Sequence, residues 1–235
     1  GMAHIGVLKA LEELQVPIDY LAGTSMGSII GGLYASGMTI EELREAVGNM
    51  NWKKLLKYQI DRNQLSYRDK QTQRRYFNFE FGLNEGGLTI PSGMISGQDL
   101  LLFFKRITKN ISIDDFAKLP IPFKAVATDI ENPNAPLYLL DKGDLAMALR
   151  ASMAVPFAFA PVTVDGHLLV DGGIIDNLPV DVVKNMGADT VIAVDIATPL
   201  LNQIDSSSSL LTVAKQAMDI SLVQNALQAR KQANI

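Results

Sequence analysis

The segment GTSMG, residues 23–27, places Ser25 between Gly23 and Gly27 in the pattern G-x-S-x-G. A short apolar run at residues 18–22 predicts a strand before it, and the small residues after it predict a helix. This pattern between a strand and a helix is typical of a nucleophilic serine on a tight turn. The glycines let neighbouring backbone approach, and the helix points its first N–H groups and its positive dipole end at the reaction centre. Ser25 is therefore the candidate nucleophile.

The same stretch has two other interpretations. No side chain from Tyr20 to Ile40 is charged, and roughly 20 apolar residues are enough to cross a bilayer. A bilayer span is disfavoured because each glycine inside a helix costs about 1 kcal/mol. The glycines of this stretch are Gly23, Gly27, Gly31, Gly32 and Gly37. The second alternative is a tight turn before a closely packed helix, in which Ser25 or Ser28 only caps the helix.

A second candidate for chemistry is Asp171, which ends the apolar run LLV and is followed by Gly172 and Gly173. A nucleophilic serine needs a base within hydrogen-bond reach, and sites in open α/β sheets assemble at the carboxyl ends of strands. A carboxylate is a weak base, with a reference pKa of about 3.9. Burial and direct contact with the hydroxyl nevertheless allow it to serve as one. The alternative is that Asp171 only forms the turn before the two glycines.

The two histidines are weaker candidates for this base. His4 lies on the apolar stripe of the first predicted helix, which indicates a core histidine. His167 lies four residues before Asp171 on the same face of a strand, about 13 Å away. It therefore cannot join the serine to Asp171, and a Ser-His-Asp triad would need another acid, such as Asp129 or Asp144. We interpret His167 as a surface residue of a hairpin.

The composition excludes several classes of function. The chain of 235 residues has a net charge of −4 and a pI near 5.2, which gives no reason to expect a nucleic-acid partner. The absence of cysteine excludes disulfides and thiolate chemistry, and two histidines cannot build a His-rich metal site. The length fits one sizeable domain.

Alternating strand and helix patterns predict the fold class. In chain order, the later predicted elements are a buried strand at residues 122–130, a helix capped by Asp144, a hairpin around Asp165-Gly166, a helix at 178–187, a buried strand at 189–196 and a final amphipathic helix from Leu210 to about Asn234. This order predicts a three-layer α/β/α sandwich with a mostly parallel central sheet. We expect one domain over residues 1–200, and over 201–235 a linker and helix that lead to a further domain.

Residues 52–92 interrupt this pattern as a basic insert. Eight of the 21 basic residues lie in the segment Lys53–Arg75 against two aspartates, so the segment carries +6 and the rest of the chain −10. Such a patch either binds anionic lipid surfaces or is a solvated loop. The alternating phenylalanines of residues 77–81 either face lipid or a second copy of the chain, or form the buried face of a sheet.

Four segments in this order resemble the patatin-like phospholipase family: GMAHIGVLKALEE, IDYLAGTSMGS, RASMAVPFAFAPV and LLVDGGIIDNLPV. The resemblance runs from Gly1 to about Thr198. It implies a three-layer α/β/α fold and hydrolysis of acyl esters of phospholipids and related lipids. It also implies that Ser25 and Asp171 form a catalytic dyad without histidine, with no metal or organic cofactor.

One departure from the family concerns the oxyanion hole. The family has a first strand and a glycine-rich loop that supplies N–H groups to the oxyanion, and at most the last glycine of that loop, Gly1, is present here. The resemblance leaves the N–H of Met26, next after the nucleophile, as the remaining donor. Loss of an oxyanion donor costs about 10²–10³ in rate. We expect residues 151–161, kept irregular by two prolines, to line the acyl pocket.

The basic insert and the segment IPSGMISGQDLLLFF look most like the exported branch of this family. In that branch the lipase domain precedes an outer-membrane β-barrel in a type V autotransporter, so the resemblance implies a cell-surface location and a C-terminal barrel. A cytoplasmic member is the competing interpretation. The expected partners are a phospholipid or membrane surface and a second copy of the chain. A His-dependent esterase and a non-catalytic lipid-binding module are the alternative functions.

Overall fold

The structure, a computed structural model, describes residues 2–48, 82–84, 87–89, 97–156, 158–196 and 210–235. Gly1, the basic segment at 53–75 and the phenylalanine stripe at 77–81 lie outside the described residues. No helix within the described ranges combines the length and the hydrophobicity that crossing a membrane requires.

Seven helices and seven strands occupy the described ranges. The helices are α1 (Met2–Glu13), α2 (Met26–Ala35), α3 (Ile40–Gly48), α4 (Gln98–Ile107), α5 (Leu145–Ser152), α6 (Val180–Met186) and α7 (Leu210–Arg230). The strands are β1 (Leu21–Thr24), β2 (Gly82–Asn84), β3 (Gly87–Thr89), β4 (Phe123–Asp129), β5 (Leu137–Leu140), β6 (Val162–Val164) and β7 (His167–Asp171). Short turns of 3-10 helix lie at Phe116–Lys118 and Gly172–Ile174.

Five of the strands form a central sheet around β4, with helices packed against it. This confirms the predicted α/β class with a central sheet. The described strands do not have the predicted mostly parallel arrangement. Among the described strands, β1 pairs with β4 in parallel, whereas the β4–β5, β4–β7 and β6–β7 pairs are antiparallel. The physical reason is that two of these pairs are joined directly by loops without a crossover helix, which returns the chain in the opposite direction.

The segment at residues 189–196 was predicted as a buried strand and is not one. Only Val191 is buried there. Its backbone is held by the chain end instead of a sheet: Val191 N–H donates to Asn234 Oδ1 (2.9 Å), and Ala193 N–H donates to the carbonyl of Ile235 (2.9 Å). The apolar pattern therefore indicated neither the partial or full exposure of most of this segment nor the partner that satisfies its backbone.

The buried apolar side chains fall into two clusters. The larger includes Ile29, Phe104 and Phe123 and joins α1 to α5 with one face of the sheet. The smaller contains Leu178, Val180, Val191 and Ala226 and joins α6 to α7. The helix predicted at the chain end is therefore packed against the rest of the protein. The predicted boundary at residue 200 lies outside the described residues.

Several local predictions are confirmed by their hydrogen bonds. Asp144 caps α5 through bonds from the N–H groups of Ala146 (2.9 Å) and Met147 (3.3 Å). The hairpin between β6 and β7 turns at Asp165 and Gly166, with φ of 51° and 84°, the left-handed values that a two-residue hairpin of this kind requires.

Candidate active site

Ser25 lies on a strained turn between β1 and α2. Its φ of 53° and ψ of −119° are unusual for a residue with a side chain, and such strain is typical of functional sites. The turn depends on Gly23, because a Cβ there would lie 2.5 Å from the carbonyl carbon of Gly27. Gly27 is different, since a Cβ there would meet only Nε2 of His4, at 3.6 Å.

The backbone of Ser25 is anchored by a buried serine that the sequence reasoning did not identify. Ser25 N–H donates to Oγ of Ser152 (3.0 Å), whose hydroxyl donates to the carbonyl of Val126 (2.6 Å). Ser152 is completely buried at the end of α5. A fully buried hydroxyl needs partners, so a serine within the apolar helix pattern was the signal available in the sequence.

The topology brings Asp171 to Ser25. The strands β1 and β7 lie along the same edge of β4, because β5 occupies the other edge. Since β1 is parallel and β7 antiparallel to β4, their carboxyl ends meet head-on: Thr24 is opposite Val126 and Asp171 is opposite Ala127. Ser25 therefore follows one strand end at the point where Asp171 ends the other.

Asp171 is buried and its carboxylate is only partly satisfied. Oδ1 accepts a hydrogen bond from Gly173 N–H (2.8 Å), while Oδ2 has no hydrogen-bond partner among the described residues. Burial raises the pKa of Asp171 to about 6, although the Ser25 hydroxyl and the Gly173 N–H act to lower it. No hydrogen bond of standard geometry joins serine and carboxylate, a common state of catalytic pairs without substrate. The arrangement leaves one carboxylate oxygen available to accept a proton.

The backbone around Asp171 is fixed by long-range contacts. Its N–H donates to the carbonyl of Ala154 (3.0 Å), and its carbonyl accepts from Oγ1 of Thr128 (2.9 Å). Gly172 has no room for a side chain, because a Cβ there would collide with the carbonyl of Val126. Gly173 is nearly as tight, because a Cβ built on it would lie 2.9 Å from the side chain of Leu222 on α7. Close backbone approach therefore requires glycine at Gly172, whereas a side chain at Gly173 would have to displace that of Leu222.

The loop that follows Asp171 is held from both sides. Thr24, at the end of β1, donates through Oγ1 to the carbonyl of Asp176 (2.7 Å). On the other side, Nδ2 of Asn225 on α7 donates to the carbonyls of Ile174 (3.1 Å) and Ile175 (3.3 Å). Sequence reasoning identified neither role. Thr24 lay within the motif without an assigned partner, and a single asparagine in a long helix gives no signal.

Met26 is the first residue of α2. Its N–H therefore has no acceptor within the helix, as is general for the first turn. The Ser25 N–H, in contrast, is already bound to Ser152. The Met26 N–H therefore remains the predicted oxyanion donor among the described residues, whereas Gly1 lies outside them.

Neither histidine is hydrogen-bonded to Ser25 in the described part of the chain. His4 packs over Gly27, its Nδ1 has no partner among the described residues, and burial lowers its pKa to about 4. Nδ1 of His167 bonds to Oδ2 of Asp129 (2.7 Å), and its side chain is 44% exposed. Asp129 is thus the acid partner of His167, and this pair belongs to the hairpin edge of the sheet.

A cavity of about 590 Å³ opens beside Ser25. Its walls come from α1, β1, the segment at 187–196 and the α7 side chains Leu222 and Val223. The described residues of the predicted acyl pocket, 151–156 and 158–161, do not line this cavity. The reason is that Ala151 and Ala154 are completely buried in the core. No cluster of three or more metal-ligating side chains occurs among the described residues.

Comparison with known sequences places this geometry in context. Residues 1–184 match the family described as Patatin-like phospholipase. Human patatin-like phospholipase domain-containing protein 6 is 36% identical over 203 residues, which cover 84% of this chain and 12% of that protein. An uncharacterised NTE family protein of Mycobacterium tuberculosis is 34% identical over 196 residues, covering 83% of this chain and 46% of that protein. The chain therefore spans less than half the length of these relatives.

A solved structure gives a weaker likeness. VipD from Legionella pneumophila superposes with a TM-score of 0.45 and 15% identity, over 75% of this chain and 44% of that one. This likeness is too weak to serve as evidence. None of these relatives tests the predicted autotransporter architecture.

Proposed function

The chain belongs to the patatin-like phospholipase family, and we propose that it is a serine lipid acyl hydrolase that uses a Ser25–Asp171 dyad. The observation that carries the proposal is the head-on meeting of β1 and β7 along one edge of β4. This register supports the dyad, because the strained Ser25 follows one strand end where the buried, partly unsatisfied Asp171 ends the other. No histidine is bonded to the serine among the described residues.

In the first half of the proposed reaction, the Ser25 hydroxyl attacks the ester carbonyl and its proton passes to Oδ2 of Asp171. The carbonyl oxygen becomes an oxyanion that the Met26 N–H stabilises. Collapse of this intermediate breaks the ester C–O bond, and Asp171 returns the proton to the leaving alcohol. An acyl-enzyme on Ser25 remains.

In the second half, water takes the place of the alcohol. Asp171 removes a proton from this water as it attacks the acyl carbonyl, and the same donor holds the second oxyanion. The fatty acid leaves, Asp171 returns the proton to Ser25, and the dyad is restored. A pKa of about 6 suits this exchange, because the carboxylate is ionised at neutral pH and still accepts a proton more readily than an ordinary aspartate.

We propose that the substrate is a phospholipid cleaved at an acyl ester. The family and the names of the similar proteins support this substrate class, and the cavity beside Ser25 has apolar walls from α1 and from Leu222 and Val223. A cavity of this size suits an acyl chain, since ligand pockets commonly span about 300–1,000 Å³.

The test of this function is lipid hydrolysis by the wild type and a matched set of variants. Phosphatidylcholine and phosphatidylglycerol vesicles are incubated with each protein, and free fatty acid and lysophospholipid are measured by mass spectrometry. We expect both products in equal amounts from the wild type and none above background from Ser25→Ala or Asp171→Asn. Fatty acid release that persists in Ser25→Ala would refute the proposed nucleophile.

The two histidine variants separate the dyad from a His-dependent esterase. We expect His167→Ala and His4→Gln to retain product formation, because neither side chain bonds to Ser25 in the described structure. Loss of activity in a correctly folded His4→Gln or His167→Ala protein would favour the histidine mechanism. Vesicle binding without product by every variant, including the wild type, would favour a lipid-binding module.

A further inference from the structure

The C-terminal helix α7 contacts the loop that carries the proposed base. The side-chain amide of Asn225 donates to two successive carbonyls, those of Ile174 (3.1 Å) and Ile175 (3.3 Å). Both carbonyls lie in the turn that begins at Gly172, directly after Asp171. One side chain therefore fixes two consecutive peptide groups of this loop.

These peptide groups are linked to the carboxylate through Gly173. Its N–H holds Oδ1 of Asp171 at 2.8 Å, so the rotamer of Asp171 depends on where the loop places that N–H. Leu222, one helical turn before Asn225, lies next to the same glycine, because a Cβ built on Gly173 would be 2.9 Å from its Cδ2. The carboxylate, the Gly173 N–H and the Asn225 amide form a continuous chain of contacts.

Helix α7 is anchored independently of Asn225. Arg230 forms an ion pair with Asp195 (2.5 Å), and Nζ of Lys184 donates to the carbonyl of Gln232 (2.6 Å). The side chain of Asn234 accepts from Val191 N–H (2.9 Å). Gln232 and Asn234 belong to the segment that follows α7. Removal of the Asn225 amide therefore leaves Arg230 and this following segment attached, and we expect the helix to remain in place while the loop loses its clamp.

We propose that Asn225 is a positioning residue for Asp171, and that α7 thereby completes the active site. The proposal rests on the proposed function. It assigns a role to a residue beyond 1–184, the part of the chain that matches the family. Thr24 holds the loop from the nucleophile side through the carbonyl of Asp176 (2.7 Å), so the base is fixed between the end of β1 and α7.

The alternative is that Asn225 only satisfies buried carbonyls and stabilises the fold. The two roles differ in what they change. Loss of a purely stabilising contact lowers the melting temperature and leaves kcat unchanged in the folded protein. Loss of a positioning contact lowers kcat with little change in KM, because substrate binding does not involve the loop carbonyls, and alters the environment of the Asp171 carboxyl group.

The experiment compares Asn225→Leu with Gln224→Leu, an exposed neighbour on the same helix that serves as the matched control. Hydrolysis of a short-chain p-nitrophenyl ester gives kcat and KM. We expect Asn225→Leu to lower kcat about 10-fold or more with KM within about two-fold, and Gln224→Leu to match the wild type. Equal kcat in Asn225→Leu and Gln224→Leu would overturn the proposal.

Two further variants guard against misfolding. Asn225→Asp keeps the shape but replaces both donors by acceptors, and we expect the same loss of kcat. Asn225→Gln keeps the donors one methylene further out, and we expect it to recover at least part of that loss. Folding of each is checked by circular dichroism, and an Asn225→Gln variant no better than Asn225→Asp would contradict a role for the donors.

A second readout does not need turnover. The carboxyl group of Asp171 is titrated by ¹³C NMR in protein labelled at aspartate, and its signal is assigned by its absence from Asp171→Asn. A loosened loop changes both the burial of the carboxyl group and its bond from the Gly173 N–H, so we expect the midpoint in Asn225→Leu to shift from the wild-type value. If Asn225→Leu shifts the midpoint but the wild type hydrolyses no ester, the proposed function is refuted and the positioning role is kept. If the wild type is active but Asn225→Leu leaves the midpoint unchanged, the positioning role is refuted and the proposed function is kept.

Discussion

The two halves of the candidate site are built in different ways. On the nucleophile side, a run of five residues sets most of the geometry, and the buried Ser152 adds one anchor from a distant part of the chain. Gly23 allows the chain to turn against Gly27, and Ser25 takes a positive φ at the start of a helix. On the base side, Asp171 is placed by residues distant in the sequence, such as Thr128 and Ala154. A nucleophile turn is a local structure, whereas a buried carboxylate needs tertiary contacts to hold it.

This difference explains why the two sides respond differently to substitution. The nucleophile side should be sensitive at the few positions where backbone meets backbone. The base side should be sensitive at scattered positions, each with a smaller effect, because several contacts share the task. The following predictions test this contrast, and their expected effects decrease in order.

The largest effect is expected within the G-x-S-x-G pattern itself. Gly23→Ala should destabilise the protein by at least about 3 kcal/mol, because its Cβ would lie 2.5 Å from the backbone of Gly27 and neither segment can move easily. Gly27→Ala should unfold at nearly the wild-type temperature, since its Cβ would only contact the His4 ring at 3.6 Å. Thermal unfolding of both variants measures the contrast, and equal destabilisation would contradict it.

The second prediction concerns pH. Burial raises the pKa of Asp171 to about 6, and the proposed base must be ionised, so kcat/KM should fall about 10-fold per unit as pH drops below that value. Asp176, whose pKa burial also raises to about 6, is the control. Asp176→Asn should keep the acidic limb of the pH–rate profile. Loss of that limb in a folded Asp176→Asn protein would show that the acidic limb reports Asp176 and not Asp171.

The same raised pKa predicts a pH-dependent stability. The pKa of Asp171 is higher in the folded state than its unfolded value of 3.8. Its protonation therefore stabilises the folded protein fully at pH values below 3.8, and this contribution is lost as pH rises through about 6. The free energy of unfolding of Asp171→Asn minus that of the wild type should therefore be larger at pH 8 than at pH 4, by up to about 3 kcal/mol. Urea unfolding at both pH values measures this gain, and an equal difference at the two pH values would refute it.

A smaller effect is expected at Ser152. Ser152→Ala removes the acceptor of the Ser25 N–H and the donor to the Val126 carbonyl, which should cost about 1–3 kcal/mol of stability and lower kcat by roughly 10-fold. Ser36→Ala is a matched control, because in the described part of the chain its hydroxyl bonds within its own helix end, to the carbonyl of Leu33 (2.7 Å). Equal kcat values for the two variants would show that Ser152 does not hold the nucleophile turn.

The smallest effect is expected at His167. His167→Ala removes the bond to Asp129 at the hairpin edge (2.7 Å) and should change kcat by less than about two-fold, since a bonded pair away from the dyad has no part in proton transfer. Steady-state hydrolysis of the same p-nitrophenyl ester measures it. A 100-fold loss in the folded variant would restore the histidine mechanism.

The sequence predicted those features that depend on neighbouring residues. The strand, turn and helix around Ser25, the cap at Asp144 and the hairpin turn at Asp165-Gly166 follow from local backbone chemistry, and the structure has all three. The proposed dyad was also named from the sequence, but through the family resemblance. Spacing alone left Asp171 as either a base or a turn former.

The errors and omissions concern partners distant in the chain. Whether two strands pair in parallel or antiparallel depends on which of them a short loop joins. The alternation of helix and strand patterns in the sequence does not predict these pairs. The apolar segment at 189–196 is held by Asn234 and Ile235 instead of a strand, because backbone groups accept any suitable partner. Ser152 was signalled only by a serine inside an apolar helix pattern and Asn225 by nothing, since both act through contacts with residues distant in the chain.

The central claim, that Ser25 is activated by Asp171 and not by histidine, is tested most directly by labelling with a fluorophosphonate. The second-order labelling rate is measured from pH 4 to pH 9 for the wild type, Asp171→Asn and the double variant His4→Gln/His167→Ala, and the modified residue is identified by peptide mass spectrometry. The account predicts label on Ser25, a rate that rises through about pH 6, near-complete loss in Asp171→Asn and an unchanged profile in the double variant. Label on another residue, or loss of labelling only in the double variant, would contradict it.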